Sequence, residues 1–317
     1  EASKLPEICQ HGHVVRVVGD AREEADDYYL KFHGNNPKNY DLQNGTWKEC
    51  LGYGQKAAFD PRTLPVVLTR EYDADGNRFF SLKLSPWRYR QAGDNQTNPF
   101  PSFTHKPLTD IFLYKNRLGF LSGESVILSE SGEHFNLFRS TVAALLDTAP
   151  IDVGTSTTAV SKLNHAIPFS NQLLLFSSQA QFALTGEPFF SPKTVQLATT
   201  SKFENSVVTK PINAGSMIFF TYPRSEFGAV SEYFVSKDQI EAMESRDISA
   251  HIPKYISGKV ISMASCPEEK VLVVLTDDST QAVVYIYKYF LDAQGQKTQS
   301  AWSKYVVGDS SDKILAL

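Results

Sequence analysis

The apolar residues of this chain come in short runs interrupted by turn-forming residues, and residues 110–152 show the pattern most clearly. Three apolar runs lie there, at residues 111–114, 118–121 and 126–128. The first two runs are separated by Asn116, the second and third by Ser122 and Gly123, and Gly132 follows the third. Such runs are typical of consecutive β-strands joined by tight turns. A few strands of this kind cannot enclose a core alone, so we expect them to pack against similar sheets.

The same rhythm returns downstream in groups that begin near Leu108, Asn164, Ser206 and Gly258, about 42 to 56 residues apart. Small antiparallel sheets at this spacing are typical of β-propeller blades. The sequence therefore predicts an all-β fold with β-propeller-like repeats of small antiparallel sheets, preceded by a smaller β domain. An ordinary β-sandwich stays open as the alternative.

The first part of the chain predicts separate strands at residues 13–18, 28–32, 46–50, 64–70 and 79–84. Residues 43–45 and 73–77 have turn-forming composition. Prolines at 99, 101 and 107 exclude a regular helix or a central strand over residues 92–107, so we place a stiff linker there. The predicted domains are residues 1–103 and 104–317. Short helices are predicted at residues 140–146 and 239–246, and a turn at residues 147–152.

Composition narrows the function classes. The net charge of −4 gives no bulk basic surface for binding nucleic acid. Three widely spaced cysteines, Cys9, Cys50 and Cys266, predict a reducing compartment rather than a disulfide framework. No apolar run reaches the roughly 20 residues of a membrane span. The chain begins at Glu1 in what looks like continuing structure, so we expect a fragment of a longer protein.

The sequence contains no catalytic motif more specific than a chance grouping of residues. His11 and His13 share one face of an extended strand but have no evident third ligand, so a metal site is not predicted. Residues 129–134 collect serine, acid and histidine without a nucleophile elbow, and Asp277 lies in a predicted turn, as Asp73 does. We expect no enzyme, no cofactor and no metal.

Aromatic residues suggest structural roles. Trp47, Trp87 and Phe103 lie beside turn residues in polar stretches and are predicted to anchor small cores. Three tyrosines at period two, Tyr285, Tyr287 and Tyr289, form an aromatic ladder on one strand face. The ladder fits strand packing and also fits a sugar-binding surface.

Several stretches resemble the tail tubular protein B, or nozzle protein, family of short-tailed bacteriophages. In chain order they are YYLKF at 28–32, WKE at 47–49, FDPRTLP at 59–65, WRYRQAGD at 87–94, NPFPSF at 98–103, YKNRLGFLSGE at 114–124, GEHFNLF at 132–138 and PID at 150–152. The residues of these motifs that we single out as structural are Trp47, Trp87, Arg117, Gly119, Phe120, Gly123, Phe135 and Asp152.

The resemblance implies a structural virion tail protein, assembled in the host cytoplasm. It implies a six-fold homo-oligomeric ring that attaches to an adaptor ring, tail tubular protein A, below the portal, and that contacts tail fibres or spikes. DNA would pass through the ring during ejection without sequence-specific binding. The alternative is a carbohydrate-binding or depolymerase-type β-propeller that acts on host surface glycans, although no sialidase-type repeat is present.

Arg117 lies between a turn residue and an apolar strand, so its guanidinium needs either solvent or a partner. Glu124, Asp147 and Asp152 are the candidate carboxylate partners. We expect Arg117 to tie the first sheet to the turn at residues 145–152, with a solvent-facing arginine as the alternative.

Overall fold

The computed structural model describes residues 2–18, 27–156, 160–235, 243–278, 282–292, 297–308 and 312–317. In these residues the regular structure is β-strand, with two short 3-10 turns at Ala2–Lys4 and Pro61–Thr63. The prediction of an all-β fold is confirmed.

The described part of the first ninety residues forms one four-stranded antiparallel sheet and one hairpin. The N-terminal sheet contains β1 (Ile8–Gln10), β2 (Val14–Val17), β3 (Tyr28–Gly34) and β4 (Leu42–Cys50), in the order β1-β4-β3-β2. The hairpin consists of β5 (Val66–Tyr72) and β6 (Arg78–Leu84). The turn predicted at residues 43–45 is wrong, because Gln43 and Asn44 pair with β1 and Gly45 pairs with Gly34 at the end of β3.

Four more four-stranded sheets follow in chain order, and each is a simple meander. Sheet 1 contains β7 (Asp110–Tyr114), β8 (Arg117–Ser122), β9 (Ser125–Leu128) and β10 (Ile151–Gly154). Sheet 2 contains β11 (Leu163–Phe169), β12 (Gln172–Ser177), β13 (Gln181–Gly186) and β14 (Val195–Ser201).

Sheet 3 contains β15 (Ile212–Asn213), β16 (Met217–Arg224), β17 (Phe227–Val235) and β18 (Met243–Asp247). Sheet 4 contains β19 (Val260–Cys266), β20 (Val271–Thr276), β21 (Val283–Leu291) and β22 (Lys297–Val306). The predicted repeat of small sheets is therefore present, with four strands in each unit.

Consecutive sheets pack face to face. One buried cluster joins sheets 1 and 2 through residues such as Leu121 and Leu175. A second joins sheets 2 and 3, with Phe176 near Phe220, and a third joins sheets 3 and 4, with Phe219 near Tyr287. The first strands β7, β11, β15 and β19 lie side by side. The four sheets are thus stacked in series, and the propeller-like arrangement of this stack stays a prediction.

Both predicted helices are wrong where they can be checked. Residues 140–146 form bends, because the side chain of Glu49 accepts bonds from Thr141 Oγ1 at 2.5 Å and from the Val142 amide at 2.6 Å. Residues 243–246 belong to β18, which pairs with β17, while residues 239–242 lie outside the described residues. The predicted turn at 147–152 ends earlier, since β10 starts at Ile151.

The proline-containing segment at residues 92–107 contains no strand. Its Phe103 is buried against Phe120 of β8, and Phe59 and Trp87 pack around the same cluster. The segment thus covers the face of sheet 1 opposite to sheet 2. The domain boundary at residue 103 stays a prediction.

Candidate structural site

The turn between β7 and β8 places Arg117 at the start of a strand. Lys115 and Asn116 both have positive φ, 48° and 58°, which is the backbone of a two-residue hairpin turn matched to strand twist. Asn tolerates this left-handed conformation better than most residues. The turn directs Arg117 across the end of sheet 1, where its side chain is only 1% exposed.

The guanidinium of Arg117 binds main-chain oxygens. It donates to Ser129 O and Ala149 O at 2.7 Å each, to Asp147 O at 2.9 Å and to Thr148 O at 3.1 Å. The planar fork of arginine suits several acceptors that converge on one plane. Burial lowers the pKa of Arg117, and the carboxylate of Glu130 opposes that shift.

Arg117 therefore contacts residues 147–149, as the sequence predicts, but its predicted carboxylate partners are wrong. Glu124 accepts from the Ser161 amide at 2.9 Å. The exposed carboxylate of Asp147 lies 3.2 Å from Lys193 Nζ. Main-chain carbonyls form the site because the loop before β10 turns its oxygens toward the strand ends.

Asp152 makes a second link to the proline-containing segment. Its carboxylate accepts from the Ser102 amide and from Ser102 Oγ, each at 2.7 Å. Asp152 lies in β10 opposite Ile127. This pair of bonds fixes the turn at residues 101–104 to the last strand of sheet 1.

Trp87, Phe120 and Phe135 come together in one aromatic cluster. The Trp87 ring lies 6.0 Å from Phe120 and 5.4 Å from Phe135, measured between ring centroids. The indole Nε1 of Trp87 is buried, and no described residue offers it a hydrogen-bond acceptor. Trp47 lies elsewhere, on the N-terminal sheet, 5.2 Å from Phe32, and its indole donates to Pro6 O at 2.9 Å.

Two glycines of the site are needed for different reasons. A Cβ atom on Gly119 would lie 2.3 Å from ring atoms of Phe112 and 2.8 Å from Leu128. This position of β8 therefore has no room for a side chain. Gly123 has open space around it but a φ of 58°, in the turn between β8 and β9. The first glycine permits close packing and the second permits the turn.

Arg90 is a buried arginine that we did not select from the sequence. It donates to Asn95 Oδ1 at 2.9 Å, Asn98 O at 3.0 Å and Lys56 O at 2.6 Å, and stacks over Phe100. Its position inside the WRYRQAGD stretch was the available signal. Arg90 and Arg117 thus have the same structural role, since the buried guanidinium of each donates hydrogen bonds to main-chain carbonyls of loops.

A salt bridge links sheets that are not consecutive. Lys210 Nζ lies 2.7 Å from Asp110 Oδ2, and the same carboxylate oxygen accepts from the Ala166 amide at 2.8 Å. Asp110 begins β7 in sheet 1, Ala166 lies in β11 of sheet 2, and Lys210 precedes β15 of sheet 3. The residues stand a hundred positions apart in sequence, so spacing gave no sign of the pair.

His11 and the tyrosine ladder, which we considered for metal binding and sugar binding, make contacts within the protein. His11 Nδ1 accepts from the Gly34 amide at 3.2 Å. Tyr285, Tyr287 and Tyr289 are buried between sheets 3 and 4, so the strand-packing interpretation of the ladder is confirmed.

The described residues contain no group of three or more His, Cys, Asp or Glu side chains placed to hold a metal. Nor does any helix in that part of the chain have the length and apolar character to cross a membrane. Cys9, Cys50 and Cys266 are free thiols.

Comparison with known sequences identifies the family. The profile of the family described as "Bacteriophage nozzle protein" matches residues 1–317. A relative named "Tail tubular protein gp12", from Escherichia phage T7, is 36% identical over 308 residues. The aligned region covers 97% of this chain and 37% of that relative. The chain belongs to the bacteriophage nozzle protein family, which is a family of structural tail proteins and not of enzymes.

Solved structures resemble the chain only weakly. Hsv2 from Kluyveromyces lactis covers 74% of this chain and 63% of its own, with a TM-score of 0.38 and 9% identity. A putative 6-phosphogluconolactonase from Bacteroides uniformis covers 95% and 87%, with a TM-score of 0.38 and 12% identity. Nothing about the function of this chain follows from likenesses of this size.

Proposed function

We propose that this chain is part of a structural subunit of a phage tail nozzle. In this proposal the subunit forms a six-membered ring, attaches to an adaptor ring of tail tubular protein A below the portal and contributes to the conduit for DNA ejection. Tail fibres or spikes contact the ring, and assembly takes place in the host cytoplasm. The family match over residues 1–317 carries the proposal. The chain spans little more than a third of the phage T7 relative, so ring and partners are proposed for the whole protein.

The packing supports a mechanical role. Each of the sheets 1 to 4 is covered by its neighbours through buried apolar clusters. Arg90 and Arg117 fix loops to this stack, and Asp110 and Lys210 cross-link its sheets. Densely packed interiors have low compressibility and transmit strain. A wall that carries DNA under pressure needs this kind of stiffness more than it needs a reactive group.

The charge of the chain supports passage of DNA rather than binding. A protein that pairs many Lys and Arg residues with phosphates binds DNA tightly and independently of sequence. This chain has 31 basic and 35 acidic residues. A conduit built from such subunits does not retain the DNA by bulk attraction.

The glycan-binding alternative receives no support from the aromatic ladder. Tyr285, Tyr287 and Tyr289 are at most 4% exposed, because they fill the space between sheets 3 and 4. A sugar ring cannot stack on tyrosines that are already covered on both sides.

Co-assembly tests the proposed function. The protein expressed from its complete gene is mixed with purified adaptor protein, and particle masses and negative-stain images are recorded. The proposal predicts closed rings that stack coaxially on the adaptor ring and enclose an open channel. Monomers that never bind the adaptor would reject the proposed function.

A further inference from the structure

A cleft of about 380 Å³ opens at one end of the stack, where sheets 3 and 4 meet. Its walls come from the turn between β16 and β17, from the start of β19 and from the loop at residues 204–208. Val207, Val208 and Ile261 are exposed apolar side chains on these walls. The cleft is therefore an apolar recess that is open to solvent in the described part of the chain.

Two buried polar atoms in the lining have no hydrogen-bond partner among the described residues. They are Asn205 Oδ1 and Thr221 Oγ1, which belong to residues that are 3% and 2% exposed. The amide nitrogen of Asn205 is already engaged, since its Nδ2 donates to Ser206 O at 2.8 Å. Buried polar atoms of folded proteins nearly always have a partner. An unpaired acceptor and an unpaired hydroxyl in the lining of one cleft therefore indicate a group that binds there.

The strand pattern directs the side chain of Thr221 into this gap. Thr221 follows Phe219 by two residues along β16 and lies opposite Val230 of β17. Residues two apart on a strand share a face, and so do residues directly opposed across a strand pair. Phe219 and Val230 belong to the buried cluster between sheets 3 and 4. Thr221 thus faces the same gap, at the end where the cleft lies.

The charged side chains of the lining balance one another. Glu204 and Asp277 are acidic, and Arg224 and Lys259 are basic. Arg224 forms a salt bridge with Asp247, and Asp277 Oδ1 accepts from the Lys259 amide at 2.7 Å. A phosphate or another anion gains no net attraction from this arrangement. The lining favours a neutral group with an apolar part.

A main-chain peptide group meets the needs of both unpaired atoms. Each residue other than proline carries one N–H donor and one carbonyl acceptor. The N–H suits the carbonyl oxygen of Asn205, and a carbonyl oxygen can accept from the hydroxyl of Thr221. An aliphatic side chain next to them suits the walls at Val207 and Val208. The volume is near the lower end of the about 300 to 1,000 Å³ that is usual for ligand pockets, which suits one short extended segment.

The energetic cost of an empty cleft favours a segment of the same polypeptide. Buried polar atoms without partners destabilise a protein for as long as they stay unpaired. A separate partner leaves them unpaired before it binds, whereas a tethered segment has a high effective concentration and fills the cleft permanently. The phage T7 relative offers such chain length, because the aligned region covers only 37% of it.

We propose that an extended segment of the complete protein, outside residues 1–317, docks in the cleft between sheets 3 and 4. A main-chain N–H of the segment donates to Asn205 Oδ1, and one of its carbonyl oxygens accepts from Thr221 Oγ1. An aliphatic side chain of the segment lies against Val207 and Val208. The contact is intramolecular, so it fixes the segment to the sheet stack before any ring forms.

Thiol labelling tests whether the cleft is occupied. Val208→Cys and Tyr40→Cys are made separately in the protein expressed from its complete gene, because these two side chains are 68% and 69% exposed in residues 1–317. Each variant reacts with a maleimide as a dilute monomer, after assembly and after unfolding in urea, and mass spectrometry measures the labelling of that cysteine. We expect folding to slow the reaction of Val208→Cys at least tenfold in the monomer already. Tyr40→Cys is the control for a surface thiol and should react at a rate close to that of the unfolded protein.

The outcomes separate this docking from the proposed nozzle ring. Fast labelling of Val208→Cys in every folded sample overturns the docking. Protection that appears only on assembly overturns the intramolecular contact as well, but it leaves the ring intact. Protection in a protein that never assembles supports the docking and rejects the ring.

A pair of isosteric substitutions tests the hydrogen bond of Thr221. Thr221→Val removes the hydroxyl and retains the shape of the side chain. Its matched control is Thr155→Val, since Thr155 Oγ1 is also buried without a partner among the described residues but lies outside the cleft lining. Removal of a hydroxyl that is truly unpaired is neutral or stabilising. In the Val208→Cys protein, Thr221→Val should therefore speed labelling at least fivefold only if the segment binds the hydroxyl.

The control variant and circular dichroism complete this test. Thr155→Val should leave the labelling rate of Val208→Cys unchanged, and the spectra should show that both variants are folded. Equal labelling rates for the Thr221 and Thr155 variants would overturn the assigned bond.

Photo-cross-linking identifies the segment. The photoreactive residue benzoylphenylalanine replaces Val207 in the complete protein, and the dilute monomer is irradiated, digested and analysed by mass spectrometry. We expect position 207 to be joined to one peptide from outside residues 1–317, in a product with the mass of a single chain. Products joined only within residues 1–317, or to a second chain, overturn the proposal.

Discussion

The guanidinium of Arg117 donates a hydrogen bond of 2.7 Å to the carbonyl oxygen of Ala149, two residues before β10 begins. The bond ties the start of β8 to the loop that returns to the far edge of sheet 1. It is one of four bonds from this buried side chain to main-chain oxygens. The buried arginine that joins β8 to this loop is therefore bound by carbonyl oxygens and not by carboxylates.

Removing this arginine is expected to destabilise the protein. Arg117→Ala leaves buried carbonyls without donors, at about 1 to 3 kcal/mol for each unsatisfied group, while relief of the buried charge offsets part of that cost. We expect a net loss of about 2 to 4 kcal/mol. Arg117→Lys retains the charge but not the planar fork, and is expected to lose about half as much. Urea denaturation measures both.

Arg88→Ala is the matched control for these variants. Arg88 forms a salt bridge of 2.7 Å with Glu133, with both side chains about half exposed, and such pairs contribute under about 1 kcal/mol. If Arg117→Ala and Arg117→Lys are as stable as this control, the tie between β8 and residues 147–149 is unimportant for stability.

Trp87 is expected to support the aromatic cluster mainly through its ring. Trp87→Ala should lower the free energy of unfolding by about 3 to 5 kcal/mol. Trp87→Phe retains much of the packing and removes the buried indole N–H, which has no acceptor among the described residues, so a loss below about 1.5 kcal/mol is expected. Equal losses for the two variants would show that the indole nitrogen has a partner. Trp47→Ala, on the half-buried ring of the N-terminal sheet, should cost less than Trp87→Ala.

The two glycines of sheet 1 should respond to alanine for different reasons. Gly119→Ala places a methyl group against Phe112 and Leu128, and overpacking of this kind costs about 1 to 3 kcal/mol. Gly123→Ala meets no atom but must keep a positive φ, which costs about 1 to 2 kcal/mol. A larger residue distinguishes the two causes. Gly119→Val should destabilise the protein much more than Gly119→Ala, whereas Gly123→Asn should be tolerated. Melting curves of the four variants check this order.

The stability of the protein should depend on the protonation of His165. Burial lowers the pKa of His165, helped by Lys210 and opposed by Asp110 and by the bond to Val207. Between the lowered folded pKa and the unfolded value near 6.5, the unfolded chain binds more protons. Stability therefore falls as the pH drops below about 6.5 and is fully present above it.

His165→Gln should remove this part of the pH dependence. The expected result is a smaller slope of unfolding free energy against pH between about 5 and 6.5, measured with urea at constant ionic strength. His33, whose pKa burial also lowers, retains its own contribution in the variant. An unchanged slope would mean that His165 is already accessible to protons in the folded state.

Apolar alternation predicted most of the sheet strands but missed the polar edges. β21 was visible because Val283, Tyr285, Tyr287 and Tyr289 alternate with less buried residues. β14 and β18 lie at sheet edges with polar sequences, VQLATTS and MESRD. Their strand character comes from pairing with β13 and β17 and not from their own composition.

The site was harder to predict than the fold. The turn at Asn116 follows from local sequence, which left both a partnered and a solvent-facing Arg117 open. The convergence of three carbonyls at residues 147–149 depends on a loop fixed by Glu49 and Asp152. The pair of Asp110 and Lys210 exists only after sheets 1, 2 and 3 have stacked. The hairpin of β5 and β6 was predicted correctly, but nothing in its sequence reveals that its apolar face is turned outward.

Electron cryomicroscopy of intact phage tails tests the central claim most directly. The nozzle proposal predicts that density below the adaptor ring contains residues 1–317 in six symmetric copies, with sheets 1 to 4 stacked in each subunit around an open axial channel. Density for these sheets in a fibre or spike, with no copy beside the axial channel, would contradict it.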